Sequence, residues 1–181
     1  IFAELITEAQ DPIEWISFAH KSYVSSKQLS AFVSLLDDLR GEMHGSSYLY
    51  ALQGEILSEG LSDHKRAVDS FADAILLDPK RSEFYNGMGL AYYRMNQHAE
   101  ALNTFHKALS VDPKDATARY NQACVLSILG RSDEAIDSLK EAISLDTRLQ
   151  DLASKDGDFA NIRAKEEFQT LLDTQKTTRV P

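Results

Sequence analysis

The sequence predicts an all-α protein made of stacked pairs of antiparallel helices, and three observations carry that prediction. Ala67, Ala101 and Ala135 lead three similar segments spaced 34 residues apart. Self-similarity at such a period marks an architecture in which each unit is one supersecondary motif. Within a period, small and apolar residues fall at helical spacing, as in Tyr85, Met88, Gly89 and Tyr92 followed by Ala101, Phe105 and Ala108. Finally, the 181 residues include only 8 glycines and 4 prolines, so few breakers interrupt long helices.

The elements follow in order. Segment 1–46 opens with Asp11-Pro12-Ile13-Glu14, which reads as a helix start: a capping aspartate, proline at the first position and a glutamate three residues on. From there Pro12, Trp15, Phe18, Ala19, Ala31 and Leu35 repeat the spacings of the later units, with Asp38 where a small apolar residue is expected. Residues 12–45 therefore read as a degenerate leading unit, the alternative being an unrelated helical hairpin. Segment 47–81 carries Gly54, Ala67, Phe71, Ala74 and Pro79, with one extra residue around Gly60 to Asp63. Segment 82–115 is the most regular, and segment 116–149 keeps Ala123, Gly130, Ala135, Leu139 and Ala142. Small residues let paired helices approach, and larger ones a turn away fill the space between them. The pairs Asp78-Pro79 and Asp112-Pro113 end the second helix of a unit, because proline cannot continue it.

Past residue 149 the period fades. Leu149, Leu152, Phe159, Ile162, Phe168, Leu171 and Leu172 predict short amphipathic helices, the last over about residues 164–175. A stacked array leaves an apolar face open at its end, so 150–181 reads as a cap. A rival reading makes the same segment a detachable piece that folds into the protein's own groove.

Tyr85, Gly89, Tyr92, Ala101, Phe105, Ala108 and Pro113 resemble the signature of the tetratricopeptide repeat family, a 34-residue helix-turn-helix unit. The third unit departs from it at Arg119, in the usual aromatic place, and at Thr147, in place of proline. The resemblance implies a right-handed α-α superhelix of three clear units at 47–81, 82–115 and 116–149, with a degenerate leading unit and a C-terminal capping helix. It also implies that first helices line a concave groove and second helices a convex back.

Composition and motifs narrow the function. Hydrophobic residues are 43% of the chain, ordinary for a globular fold, and 28 acidic against 19 basic side chains give a net charge of -9. Nucleic-acid binding, which needs a basic surface, is disfavoured. No run approaches the roughly 18 to 20 apolar residues of a membrane helix. One cysteine cannot make an internal disulfide, which suits an intracellular reducing compartment, cytoplasmic or organellar. The five histidines form no metal-ligand spacing. Cys124 lacks a CxxC companion and reads as a packing residue, and Gly87-Met88-Gly89 lacks the context of a dinucleotide loop. No catalytic residue, metal or cofactor is expected. The first residue is Ile1, which reads as a processed or truncated start.

What remains is a surface. The family's groove places fall on Glu83, Asn86, Leu90, Tyr93 and Arg94 in one unit and on Thr117, Tyr120, Asn121, Cys124 and Ile128 in the next. The preceding unit supplies Tyr48, Ala51, Leu52, Glu55 and Glu59, and the leading one Ile16, His20, Tyr23 and Val24. Asn86, Leu90, Tyr93 and Arg94 share one helical stripe. Tyrosine and arginine dominate interface energies, and asparagine can hold a peptide backbone, so the stripe reads as a protein-binding groove, the alternative being helix packing. Family members that grip the acidic C-terminus of a large heat-shock chaperone use lysine, arginine and asparagine at set places. Here those places hold Ala51, Glu55, Gly87, Thr117 and Asn121, or Ile16, His20, Leu52, Glu83 and Gly87 in the other register. That ligand is not expected. The sequence thus predicts a non-enzymatic adaptor, assembly factor or targeting scaffold that takes an extended or helical segment of another protein. A permanently bound subunit of a larger complex and a regulatory domain of a longer protein stay open, as does self-association through Phe2, Leu5 and Ile6.

Overall fold

The computed structural model describes residues 30, 31, 33, 34, 36–38 and 46–173. The reading of 12–45 as a degenerate unit therefore lies almost wholly outside the described residues, as do Ile16, His20, Tyr23 and Val24. The described residues within 30–38 are helical, and Val33 and Leu36 are buried in the same apolar cluster as Leu49.

Three helical hairpins follow. The first joins α1 (Ser47–Glu55), continued by a π-helical turn (Ile56–Gly60), to α2 (His64–Leu77). The second joins α3 (Ser82–Arg94) to α4 (His98–Val111), and the third joins α5 (Ala116–Ile128) to α6 (Ser132–Leu145). A short α7 (Arg148–Lys155), a 3-10 turn (Gly157–Phe159) and α8 (Glu166–Asp173) close the chain. No strand occurs among the described residues. First helices touch one another, α1 against α3 and α3 against α5, while second helices meet the next hairpin through its first helix. That asymmetry curls the array into an all-α superhelix with α1, α3 and α5 on its concave side.

Small-to-large complementarity sets the hairpin packing. A Cβ built on Gly54 would stand 2.8 Å from the Phe71 ring, and one on Gly89 would stand 2.6 Å from Phe105. A Cβ on Gly87 would meet the same Phe71 at 2.5 Å, so this ring wedges between successive hairpins. Ala123 and Leu139, both fully buried, stand at the corresponding places of the third hairpin. Each tight turn then relies on one residue in the left-handed region: Ser62 at φ 56°, Asn96 at 57° and Gly130 at 74°. These positions are 34 residues apart, and the last two close with the backbone bonds Gln97 N to Tyr92 O and Arg131 N to Leu126 O. In the first hairpin the matching bond runs from Asp63 N one residue further back, to Leu57 O. The extra residue read in the sequence is thus absorbed by the wider π turn.

The second helices also end alike. Asp78, Asp112 and Asp146 each accept the backbone N–H two residues on, at 3.2, 2.9 and 3.0 Å. Since Asp146 forms this turn beside Thr147, the aspartate stops the helix with or without a following proline.

Candidate functional site

The concave face divides into an open part on α1, α3 and the first turn of α5, and a covered part on α3 and the rest of α5. On the open part Glu83 and Glu55 are exposed. Although Glu55 is exposed as a whole residue, packing around its carboxyl desolvates that group and pushes it above its ordinary value, and the negative charge of Glu59 adds to the shift. Glu59 forms an ion pair with Arg94, whose guanidinium also donates to Ser58 Oγ at 3.0 Å. Tyr48 meets Phe84 edge-on, with ring centroids 5.8 Å apart, and carries the Arg81 guanidinium over its face at 4.8 Å. Leu52 and Leu90 are half-buried, and Thr117 on α5 is exposed. Asn121 donates its side-chain amide to Asn86 Oδ1 at 2.9 Å, bridging α5 and α3.

The covered part is built by residues the repeat period does not contain. After α7 the chain turns back across α5 and reaches α3. The Tyr120 hydroxyl donates to Asp156 Oδ2 at 2.7 Å, and the Tyr93 hydroxyl donates to both carboxylate oxygens of Asp158 at 2.8 Å. Ser127 Oγ donates to the Asp158 carbonyl at 2.7 Å, and Asn161 Nδ2 donates to the Ser127 carbonyl at 3.3 Å. Arg163 locks the turn by donating to the carbonyls of Ser154 and Asp156 at 2.7 and 2.6 Å. Phe159 then drops into the core, edge-on to Tyr120 at 5.6 Å and tilted against Phe168 at 5.7 Å. Phe159, Ile162 and Phe168 have no exposed surface, whereas Leu152, placed in the same amphipathic pattern by the sequence, is 51% exposed. Gln150 Nε2 donates to the carbonyls of Leu171 and Leu172, fastening the last turn of α8.

The groups of this part are partly buried. Burial raises the pKa of both phenols, and the bonds to Asp158 and Asp156 raise it further, so Tyr93 and Tyr120 stay hydrogen-bond donors. Burial chiefly, then the charges of Asp156 and Asp158, push the Cys124 thiol up in the same way. It is 5% exposed and packs against Asp156, an environment that disfavours the thiolate. A cavity of about 80 Å³ remains between Leu90, Asn121, Cys124 and the two aspartates. Cys124, Asp156 and Asp158 bring three donor atoms within 4.8 Å of one another, residue types able to ligate a metal. As they stand, the carboxylates are satisfied by the tyrosine hydroxyls. Sequence reasoning named Tyr93, Tyr120 and Cys124 but not their aspartate partners. The available signal was weak, the pair Asp156-Gly157-Asp158 just before buried Phe159 in a segment that carries other charged residues as well.

Residues 80–148 match a family model described as tetratricopeptide repeat. That stretch, the second and third hairpins, carries tetratricopeptide repeats. The same architecture is found in the crystal structure of MamA, at TM-score 0.68 and 15% identity over 83% of this chain and 90% of that one. YrrB, described as a tetratricopeptide protein with an unusual peptide-binding site, aligns at TM-score 0.68 and 19% identity over 95% of this chain and 89% of its own. The first tetratricopeptide domain of Spaghetti (RPAP3), bound to the HSP90 peptide SRMEEVD, gives TM-score 0.57 and 15% identity over 70% of this chain and 93% of that one. At these identities the likeness is one of fold. No curated protein sequence matches the chain significantly. Among the described residues no helix is long and apolar enough to cross a membrane.

Proposed function

We propose that this protein–protein interaction module works without a reaction of its own, as an adaptor or scaffold. It holds an extended or helical segment of a partner protein on the open part of its concave face. The observation that carries this reading is the division of that face. The cap buries Tyr120 and engages Tyr93, whereas Glu83 and Thr117 are exposed and Leu52 and Asn86 half-buried on the uncapped stretch. A stripe of half-buried apolar and amide groups rimmed by carboxylates suits a segment with apolar anchors and basic flanks. That YrrB is described with a peptide-binding site, and that the RPAP3 domain is bound to a peptide, supports a segment as the ligand class. The acidic peptide SRMEEVD is not the expected ligand here. The places that would need cations hold Ala51, Glu55, Gly87, Thr117 and Asn121, and Arg94 is already paired with Glu59.

The test is affinity capture with the unchanged chain, with Glu83→Lys/Thr117→Lys on the concave face, and with Leu76→Lys on α2, where Leu76 is 82% exposed. A partner lost with the concave variant and kept with the α2 variant supports the reading. The reverse pattern overturns it.

A further inference from the structure

We propose that the covered part of the concave face is itself a binding site for an acidic–aromatic protein segment. The chain's own Asp156-Gly157-Asp158-Phe159 fills it at rest, and a partner segment of the same chemistry takes it when the cis segment lifts. This goes beyond the reading of the open face and stands whatever partner that face takes.

The seat has the form of a receptor and its ligand. The hydroxyls that reach the two aspartates from outside their own segment, those of Tyr93, Tyr120 and Ser127, belong to α3 and α5 of the repeat array, while Arg163 and the Asp158 N–H brace Asp156 from within the segment. The carboxylates and the carbonyl they meet come from a segment outside the array. The carboxylates are recognised by neutral hydroxyls, and no ion pair to Asp156 or Asp158 occurs among the described residues. Two carboxylates spaced i and i+2 each find a tyrosine, and the aromatic residue that follows finds an apolar slot beside Tyr120. A cavity of about 80 Å³ lined by Leu90, Asn121, Cys124 and the two aspartates adjoins the loop. A tethered segment competes at an effective concentration on the order of millimolar or higher. A free segment of equal quality therefore binds detectably only when the cis contact is weakened.

Cys124 reports the state of the seat, because it is the single cysteine of the chain and lies 95% buried against Asp156, with Sγ 3.9 Å from Oδ2. The experiment measures the rate at which a thiol reagent labels Cys124 in the full chain and in Asp156→Asn/Asp158→Asn. It is combined with anisotropy of a fluorescein-labelled peptide of sequence 150–165, and of the same peptide carrying asparagine at both aspartates. In the unchanged chain, labelling at low urea should have a much shallower urea dependence than global unfolding, the sign of a local opening. The double variant should label at least tenfold faster. It should bind the aspartate peptide at least tenfold more tightly than the asparagine peptide, and that peptide should slow its labelling. Circular dichroism checks that the variant is folded. If it is not, Tyr120→Phe, which removes one oxygen, should give the faster labelling instead. Labelling of the unchanged chain with the full urea slope of global unfolding would overturn the proposal, since the segment would then be a fixed cap. So would a folded double variant that binds the two peptides equally or not at all.

Discussion

Replacing Phe159 by alanine removes a ring with no exposed surface from between Tyr120 and Phe168. A buried phenylalanine takes roughly 150–250 Å² out of water, worth about 4–6 kcal/mol at about 25 cal/mol per Å². Alanine keeps the Cβ share of that, and partial collapse recovers a little more, so large-to-small substitutions of this kind cost about 3–5 kcal/mol. We take about 4 kcal/mol, which for a chain of this size lowers Tm by about 8–16 °C at roughly 2–4 °C per kcal/mol. Urea unfolding followed by far-ultraviolet circular dichroism measures it, with Leu152→Ala as the control on the same capping segment. Leu152 is 51% exposed, and its loss should stay within about 0.5 kcal/mol. A cost below about 1 kcal/mol for Phe159→Ala, at unchanged urea slope, would refute the reasoning. It would mean that the ring is not seated in the core and that the cap does not close the groove.

Other positions give opposed outcomes that separate backbone from packing effects. Ser62→Gly should stabilise by up to about 1 kcal/mol, because a non-glycine residue holds φ 56° there, whereas Gly130→Ala at φ 74° should cost about 1 kcal/mol, both read by chemical denaturation. Gly89→Ala should destabilise despite alanine's better helix propensity, since its Cβ would stand 2.6 Å from the Phe105 ring, while Gly157→Ala, with open space around it, should be near neutral. Glu55→Gln should raise Tm at neutral pH. The folded carboxyl titrates above its ordinary value of 4.5, so the folded state binds more protons in the window just above 4.5 and stability falls as pH rises through it. The advantage of glutamine should shrink as pH is lowered through that window, and a pH series of thermal melts checks it.

The fold was legible where the physics is local and periodic. Gly54 against Phe71 and Gly89 against Phe105 recur at the repeat spacing because each hairpin solves the same packing problem. The tight turns are legible for the same reason, although the determinant at the end of the second helices is the aspartate, which is why Thr147 in place of proline changes nothing. The extra residue near Gly60 was visible as an insertion, but its conversion into a π turn depends on Ile56 and Leu57 keeping their buried places. The site was half legible. Helical spacing alone grouped Asn86, Leu90, Tyr93 and Arg94 on one face. What the tyrosines face could not be read, because Asp156 lies 36 residues from Tyr120 and Asp158 lies 65 from Tyr93, past the end of the period. No spacing rule links them. Only the path of the chain after α7 does.

The most direct test of a segment-binding concave face places a photo-crosslinking residue at Glu83 on α3, at Thr117 on α5, and at exposed Leu76 on α2 as the control, then maps the crosslinked peptides. Crosslinks from Glu83 and Thr117 to one contiguous segment of one partner, with none from Leu76, is the predicted result. Crosslinks from Leu76 to that partner, with none from Glu83 or Thr117, would contradict it.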